Sequence, residues 1–333
     1  MVGELRAART DHPADPPRVV LVPCGNLGVV PWHAARVREG DAYHYVCRDM
    51  VVSYAASGGQ LLLTVARDPL PVDSAPVLVA DPRMELTHAE REIGALRAGF
   101  YPQARMFGEF YQPPEPPESL GTPADLLALL STANDRPLSL LHVASHGSAG
   151  PRPTASALSL AFPDDSESWP AESGGPGALP GAGMLTVMHL LDRSGEDIAQ
   201  CDNGPLVVLS ACETDLSTRD HDEALTLATA FVARGARNVV GSRRTTADGA
   251  SALMMAVFHH FVAVEGLDPA HALCAAQLWM LDPGRRVPSS VRGALARDAE
   301  LPGLHRPALW AAFIHQGHPG PAPDDTPLEG ATR

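Results

Sequence analysis

Two apolar segments, each ending at a reactive side chain, constrain this sequence more than any other feature. Residues 138–145 are rich in Leu and Val and stop at His146, which Gly147 follows, and residues 205–211 form a similar run that stops at Cys212. Short apolar runs bounded by turn residues are typical of buried strands in a parallel sheet. Because the carboxyl ends of adjacent parallel strands meet at one edge, we expect His146 and Cys212 to share that edge.

The rest of the pattern alternates strands with helices. Strands are also predicted at 18–22, 76–80, 157–162 and 238–241, and helices from Thr87, from Pro123, and over 222–233, 250–264 and 268–281. Two further segments leave a choice open. Segments 45–54 and 60–65 are either both short strands or a strand followed by a helix. The alternation predicts an α/β fold, with a mainly parallel sheet covered by helices on both faces.

Helix starts are signalled at two places. Thr87 and Glu90 have the spacing of a capping box, in which each side chain binds the exposed backbone N–H of the other residue. Thr122 is a capping residue followed by a proline, which suits the first position of a helix. These signals predict helices that begin directly after Thr87 and after Thr122.

The domain organisation follows from where ordered patterns begin and end. Residues 1–17 and 318–333 lack periodicity, so we interpret them as a flexible lead-in and a flexible tail around one domain at 18–317. Within that domain, segment 163–183 is rich in Pro, Gly, Ser and acidic residues and is predicted to be a long exposed loop. Loops of this length are often functional, so cleavage of the chain within 163–183 is an activation hypothesis.

The composition excludes several classes of protein. A net charge of −14 without a Lys/Arg block argues against a nucleic-acid binder. The apolar runs are too short to span a membrane, and the polar N-terminus does not resemble a signal peptide. Five cysteines without a CxxC pair indicate neither a disulfide framework nor a zinc site, and no other ligand cluster implies a metal or a cofactor. We therefore expect a cytoplasmic protein.

A thiol beside an imidazole is the minimum apparatus of a cysteine nucleophile. The backbone N–H groups of Gly147 and Cys212 could form an oxyanion hole. The simpler alternatives are an inert buried thiol and an ordinary His-Gly turn. His142, on the same strand as His146, competes for the role of base but is expected to pack in the core. His259 and His260 lie mid-helix without metal-ligand spacing, and Cys201 resembles a loop thiol.

These segments resemble the CHAT domain, a branch of the caspase-like cysteine peptidases related to caspases and separase. The resemblance extends over roughly 18–317. It is carried by the His146 segment and by Leu209-Ser210-Ala211-Cys212-Glu213-Thr214, together with matches in order at 28–35, 52–57, 80–90, 222–236, 272–278 and 310–317. It implies a caspase-like α/β/α sandwich and peptide-bond hydrolysis through a thioester, with His146 as general base and Cys212 as nucleophile.

One departure from the family concerns specificity. After the strand at 238–241 the family commonly has Ser, Leu and Trp, whereas this chain has Ser242, Arg243 and Arg244. In caspase-like folds this strand borders the primary specificity pocket. The hypothesis is that Arg243 or Arg244 pairs with an acidic substrate side chain, and the alternative is that both arginines are exposed to solvent.

The resemblance also suggests partners. Relatives often carry tetratricopeptide repeats before this domain, and this sequence shows none, so we expect a separate sensor or adaptor protein. The expected substrate is a protein, such as a gasdermin-like effector in bacterial defence or regulated cell death. Two alternatives remain: a non-catalytic caspase-like scaffold in a multi-protein signalling system, and a small-molecule thiol hydrolase on a flavodoxin-like sheet, for which no cofactor signature is present.

Overall fold

The computed structural model describes residues 16–111, 113, 115–131, 137–150, 152–163, 181–192, 202–211, 214, 225–245 and 247–320. The strands are β1 (Arg18–Leu21), β2 (Arg36–Glu39), β3 (Ala42–Tyr45), β4 (Val51–Tyr54), β5 (Asp68–Pro69), β6 (Pro76–Ala80), β7 (Arg105–Gly108), β8 (Leu140–Ala144), β9 (Gly147–Ser148), β10 (Ala157–Ser159), β11 (Met184–Thr186), β12 (Asn203–Gly204), β13 (Leu206–Ser210), β14 (Asn238–Ser242) and β15 (Phe313–Gly317). The α-helices are α1 (Gly58–Val65), α2 (Ala89–Gly99), α3 (Pro123–Leu129), α4 (Val187–Leu191), α5 (Leu227–Ala233), α6 (Asp248–Ala263), α7 (Pro269–Leu281) and α8 (Gly293–Asp298).

The central sheet is mainly parallel. Over the residues described, it has eight strands in the order β1-β4-β15-β14-β13-β8-β6-β7. Neighbouring strands run parallel except β14 and β15, which are antiparallel. The strands that lead to His146 and Cys212, β8 and β13, are neighbours in the middle of the sheet. This arrangement confirms the predicted α/β class.

Helices cover both faces of the sheet, as the side-chain alternation along β8 illustrates. Leu140 and Ala144 pack into a core with α2, α6 and α7. Leu141 and Val143 point to the opposite face and pack into a second core with α3, α4 and α5. Because both faces are buried, these strands read as continuous apolar runs. The molecule is therefore an α/β/α sandwich, as expected.

One predicted helix start is confirmed and the other is wrong. Thr122 caps α3, and its Oγ1 accepts from the Asp125 N–H over 3.2 Å while Asp125 accepts from the Thr122 N–H over 2.8 Å. The expected Thr87 capping box does not form, and α2 begins at Ala89 without a side-chain cap. Residues from elsewhere in the fold bind this helix start instead. Glu90 accepts from the Tyr111 N–H, and the His88 N–H donates to Asp248.

Other boundaries differ in smaller ways. The predicted strand at 157–162 shortens to β10, which joins β9 and β11 in a separate antiparallel sheet. The helix predicted at 222–233 is observed as α5, which Thr226 caps, and residues 222–224 lie outside the described part. Most of the predicted lead-in, the 163–183 loop and the tail also lie outside it. Two strands of the central sheet, β7 and β15, were not predicted.

The longest helix in the described part of the chain is α6, with 16 residues. It is strongly apolar because it lies under the sheet, where residues such as Met254, Met255 and Phe258 are fully buried. No helix in the described ranges is long and apolar enough to cross a lipid bilayer.

Candidate active site

The edge that carries the site is set by the register of β8 and β13. These neighbouring parallel strands pair in register up to Ala144 and Ser210. His146 follows Ala144 by two residues, and Cys212 follows Ser210 by two. The expectation that the two strands end at a common edge is confirmed. Cys212 lies outside the described residues, so its contact with His146 stays a prediction.

His146 is anchored through its backbone and open at its ring. Its carbonyl oxygen accepts a hydrogen bond of 2.8 Å from the Ser159 N–H of β10. Its side chain is 44% exposed, and Nε2 lies 3.7 Å from Glu85 Oε2. A fixed backbone with an accessible imidazole is what a base that meets an incoming substrate requires.

Gly147 begins β9 and leaves its N–H outside the ladder. Gly147 stands opposite Leu158, and the ladder hydrogen bond next to this pair runs from the Ser159 N–H to the His146 carbonyl. In an antiparallel ladder this makes Gly147 and Leu158 a non-hydrogen-bonded pair. The Gly147 N–H therefore points away from β10.

The loop that supplies Glu85 follows β6 and is tightly held. The buried Asp81 carboxylate accepts from the backbone N–H groups of Arg83 and Leu86. The Arg83 guanidinium donates to the Leu160 and Gly183 carbonyls over 3.0 and 3.2 Å. Sequence reasoning missed Glu85, because no local pattern connects it with a histidine that lies two strands further along the chain.

The cysteine segment, residues 211–214, is anchored at both ends. Before it, Ser210 Oγ donates to the buried Glu92 over 3.1 Å. At its far end Thr214 is fully buried, and its Oγ1 accepts from the Ser242 N–H over 2.8 Å. The Thr214 carbonyl also accepts from the Ala228 N–H of α5. These contacts hold Ser210 and Thr214, which lie two residues before and two residues after Cys212 in the sequence.

The predicted specificity residues follow β14 and separate into different environments. Ser242 is buried, and its Oγ donates to the Arg244 carbonyl over 2.5 Å. Arg243 is only 6% exposed, and its guanidinium carbon lies 4.1 Å from the centre of the Tyr54 ring. Arg244 is exposed. The alternative that both arginines face solvent is therefore wrong for Arg243.

Arg243 belongs to a buried cluster with Tyr54 and His33. Its Nη1 donates to the Val30 carbonyl over 3.2 Å, and His33 Nδ1 lies 3.2 Å from the Tyr54 hydroxyl. Burial and, secondly, the charge of Arg243 lower the pKa of His33 to about 3. His33 is neutral near pH 7, so the positive charge of this cluster lies on Arg243.

His142 does not compete with His146 for the edge. It is fully buried, with Nε2 2.9 Å from Glu92 Oε1 and Nδ1 2.9 Å from His259 Nε2. Tyr101 completes the group, with its hydroxyl 2.8 Å from His259 Nδ1. The core position expected for His142 is confirmed, but its polar partners were missed because they lie in or just after α2 and in α6, far from His142 in the sequence.

The cysteines in the described part of the chain are free thiols, and two of them are buried. Cys274 donates to the Cys47 carbonyl, and burial raises the pKa of Cys274 to about 12 and also raises that of Cys47. Such thiols remain protonated and unreactive near pH 7. Cys24 is exposed, while Cys201 and Cys212 lie outside the described residues. Within the described ranges, no cluster of three or more potential metal ligands is present.

Comparisons with known proteins agree with this fold. The structure is similar to separase of Saccharomyces cerevisiae in its complex with securin, at 11% identity and a TM-score of 0.52, covering 90% of this chain and 16% of separase. It is also similar to the Arg-specific cysteine proteinase gingipain R, at 11% identity and a TM-score of 0.50, covering 96% of this chain and 66% of that one. A search of curated proteins found no match.

The similarity to these structures shows that the chain shares the fold of separase and gingipain R. The sequence model of the CHAT domain matches residues 3–318, which is nearly the whole chain. The chain belongs to the CHAT domain family.

Proposed function

We propose that this protein is a cysteine endopeptidase with Cys212 as nucleophile and His146 as general base. The observation that carries the proposal is the register of β8 and β13, which leaves His146 and Cys212 the same number of residues beyond two paired strand ends. The accessible imidazole of His146 supports it, as do the caspase-like fold and membership of the family.

The proposed acylation begins when His146 accepts the thiol proton of Cys212. The thiolate attacks the carbonyl carbon of the scissile peptide bond, and the carbonyl π electrons move to the oxygen. The C–N bond then breaks as the His146 imidazolium gives its proton to the departing amine. The product of this step is a thioester on Cys212 and a new amino terminus.

Deacylation uses the same groups with water. His146 accepts a proton from water, and the resulting hydroxide adds to the thioester carbon. The C–S bond then breaks to release a carboxylic acid, and the Cys212 thiolate takes back the proton from the His146 imidazolium. In both steps the carbonyl oxygen becomes negative. The Gly147 N–H, which the β9–β10 ladder does not use, is a suitable donor to that oxygen together with the Cys212 N–H.

Arg243 is proposed to select an acidic side chain of the substrate. It directly follows β14, the neighbour of β13, and its guanidinium is held against Tyr54. A positive charge held in a partly dry site attracts a carboxylate more strongly than an exposed one. Arg244 is exposed and contributes less to such a pocket.

The physiological substrate is proposed to be a protein, and a gasdermin-like effector in bacterial defence is the candidate that the family resemblance suggests. A separate sensor or adaptor would then control access to the site. The acidic net charge of −14 gives no reason to expect direct contact with nucleic acid.

The test is peptide cleavage by the wild-type protein beside Cys212→Ala and His146→Ala. A proteome-derived peptide library read by mass spectrometry reports both activity and the residue preferred at the cut. We expect new termini with the wild type alone, and Cys24→Ala serves as a matched control that retains activity. Cleavage that survives Cys212→Ala would refute the proposal, and a lack of cleavage by all four proteins would favour the scaffold.

A further inference from the structure

A chain of buried polar side chains runs through the core to the end of β13. It consists of Tyr101, His259, His142, Glu92 and Ser210. The four contacts measure 2.8, 2.9, 2.9 and 3.1 Å in that order. The first four members are at most 1% exposed, and Ser210 is 8% exposed. These contacts join α2, α6 and Tyr101, the second residue after α2, to β8 and β13.

One arrangement of protons satisfies every contact in this chain. The Tyr101 O–H donates to His259 Nδ1, and the His259 Nε2–H donates to His142 Nδ1. The His142 Nε2–H and the Ser210 O–H then donate to the two oxygens of the Glu92 carboxylate. Burial raises the pKa of Tyr101, and burial followed by the proximity of His142 lowers that of His259, which keeps both groups neutral. In this arrangement each donated proton points towards Glu92.

Burying these five polar side chains costs free energy. A carboxylate in a protein core costs free energy unless hydrogen bonds replace its water, and apolar residues of the same volume often serve stability as well or better. Stability alone thus gives little reason for five polar groups at this place. What the chain provides in addition is a fixed position for Ser210, because a fully satisfied network admits a single geometry.

Ser210 lies where a fixed position can affect Cys212. It pairs with Ala144 at the last register position of β8 and β13, and it precedes Cys212 by two residues. We propose that Glu92, held by the buried chain, is a positioning residue that fixes Ser210 and thereby the backbone that presents Cys212. The inference rests on the proposed role of Cys212, and Glu92 acts through Ser210 rather than on the substrate.

The experiment measures how fast iodoacetamide alkylates Cys212, with peptide mass spectrometry as the readout and the exposed Cys24 as an internal reference. Ser210→Ala removes the contact with Glu92 and leaves the contacts among the other four buried polar residues intact. We expect the alkylation rate of Cys212 to fall about tenfold to hundredfold, as for other small misplacements of reacting groups, while that of Cys24 is unchanged. Ser210→Thr keeps the hydroxyl and should recover most of the rate.

Ser139→Ala is the matched control. Ser139 is also buried, and its Oγ donates to the Val72 carbonyl and accepts from the Ala75 N–H over 3.1 and 2.9 Å. It precedes β8 at the opposite edge of the sheet, so its loss should lower stability without changing the reactivity of Cys212. Equal Cys212 rates in the wild type, Ser210→Ala and Ser139→Ala would overturn the inference.

A second variant protects the test against a folding failure. Glu92→Met has a similar volume, removes the acceptor and leaves β13 untouched, and near-ultraviolet circular dichroism checks that the core is intact. We expect the same fall in Cys212 reactivity as for Ser210→Ala, and no further fall when the two changes are combined, because both break one contact. Additive losses, or a wild-type rate in Glu92→Met, would contradict the inference.

Peptide cleavage distinguishes this inference from the proposed function. If Cys212→Ala still cleaves peptides, the proposed function fails, and the alkylation rates still decide the role of Glu92. If cleavage needs Cys212 and the inference is right, Ser210→Ala lowers kcat and leaves KM unchanged. If cleavage needs Cys212 but Ser210→Ala keeps both kcat and the alkylation rate, the inference fails alone.

Discussion

The Ser242 backbone N–H donates a 2.8 Å hydrogen bond to the Thr214 side chain, and this contact joins the cysteine segment to the end of β14. Thr214 follows Cys212 by two residues, and Ser242 directly precedes Arg243. One buried bond therefore joins a residue two positions after the proposed nucleophile to the residue before the proposed specificity residue. We expect a substitution at Thr214 or at Ser242 to affect both the cysteine segment and Arg243.

Thr214→Val tests this bond directly. The substitution keeps the shape of the side chain but leaves the buried Ser242 N–H without its acceptor, so we expect a loss of about 1–3 kcal/mol in the free energy of unfolding. Urea denaturation measures the loss, and peptide cleavage should fall with it. Thr214→Ser keeps the hydroxyl and is the control. If the valine variant is as stable as the serine variant, the bond has no structural importance.

Gly241 lies against the same threonine. A Cβ built on Gly241 would come within 2.8 Å of Thr214 Oγ1. We expect Gly241→Ala to lower the melting temperature and to slow alkylation of Cys212, because the cysteine segment must move to admit the methyl group. Gly94→Ala is the matched control: it lies in α2 with open space around it, where alanine should stabilise the helix by up to about 1 kcal/mol. A Gly241→Ala protein as stable as the wild type would contradict the predicted clash.

Arg243→Gln tests the origin of substrate preference. If Arg243 selects a carboxylate, the preference for acidic residues at the cut should fall by at least about tenfold, the value of one charge-assisted hydrogen bond. A peptide library measures the preference for the wild type and the variant in parallel. Arg244→Gln removes an exposed arginine next to it and should leave the preference unchanged. Identical preferences in all three proteins would remove Arg243 from the pocket.

Glu85→Gln tests the contact between Glu85 and His146. The two side chains are 55% and 44% exposed, so solvent screens their interaction, and we expect kcat/KM to change by less than about fivefold at low salt. The difference from the wild type should vanish near 1 M salt, where the screening length is only about 3 Å. A loss of activity that persists at high salt would show that Glu85 acts by another route than charge.

Acid should destabilise the fold through His315. This ring is fully buried between Ser53 and Asn238, and burial lowers its pKa to about 4. The unfolded chain takes up the proton first, so the contribution is present above pH 6.5 and is lost as pH falls towards 4, by about 3 kcal/mol. Unfolding measured between pH 7 and 4 should show a shallower decline for His315→Gln than for the wild type. His305→Gln, at an exposed histidine, should keep the wild-type decline, and an unchanged decline in both variants would exclude His315 as the cause.

The sequence predicts the site edge well because its signals are local. The runs before His146 and Cys212 are buried on both faces, and burial on both faces is visible as an unbroken apolar segment. The alternation of strands and helices then restricts the fold to a sheet with two covered faces. The fold class and the edge that carries the site follow from these patterns even where the exact ends of single elements are wrong.

The parts that sequence reasoning missed depend on contacts between distant segments. Thr87 carries a correct capping signal, but Asp248 takes the His88 N–H and Tyr111 takes the Glu90 carboxylate. Likewise His142 looks like an isolated core histidine until Glu92 and His259 are placed beside it. β15 was missed because its apolar segment is short. It forms a strand because β14 and β4 hydrogen-bond to it on either side.

The position of β15 has a consequence for how the protein assembles. β15 lies between β4 and β14, so β1 and β4 join the rest of the sheet only when residues 313–317 are inserted. Tyr54 ends β4, and its stacking with Arg243 at the end of β14 spans this same junction. During synthesis on the ribosome, the strands that lead to His146 and Cys212 can pair before β15 has been made, whereas the Arg243 cluster needs β15 in place. A nascent chain would thus hold an unfinished Arg243 cluster until β15 joins the sheet.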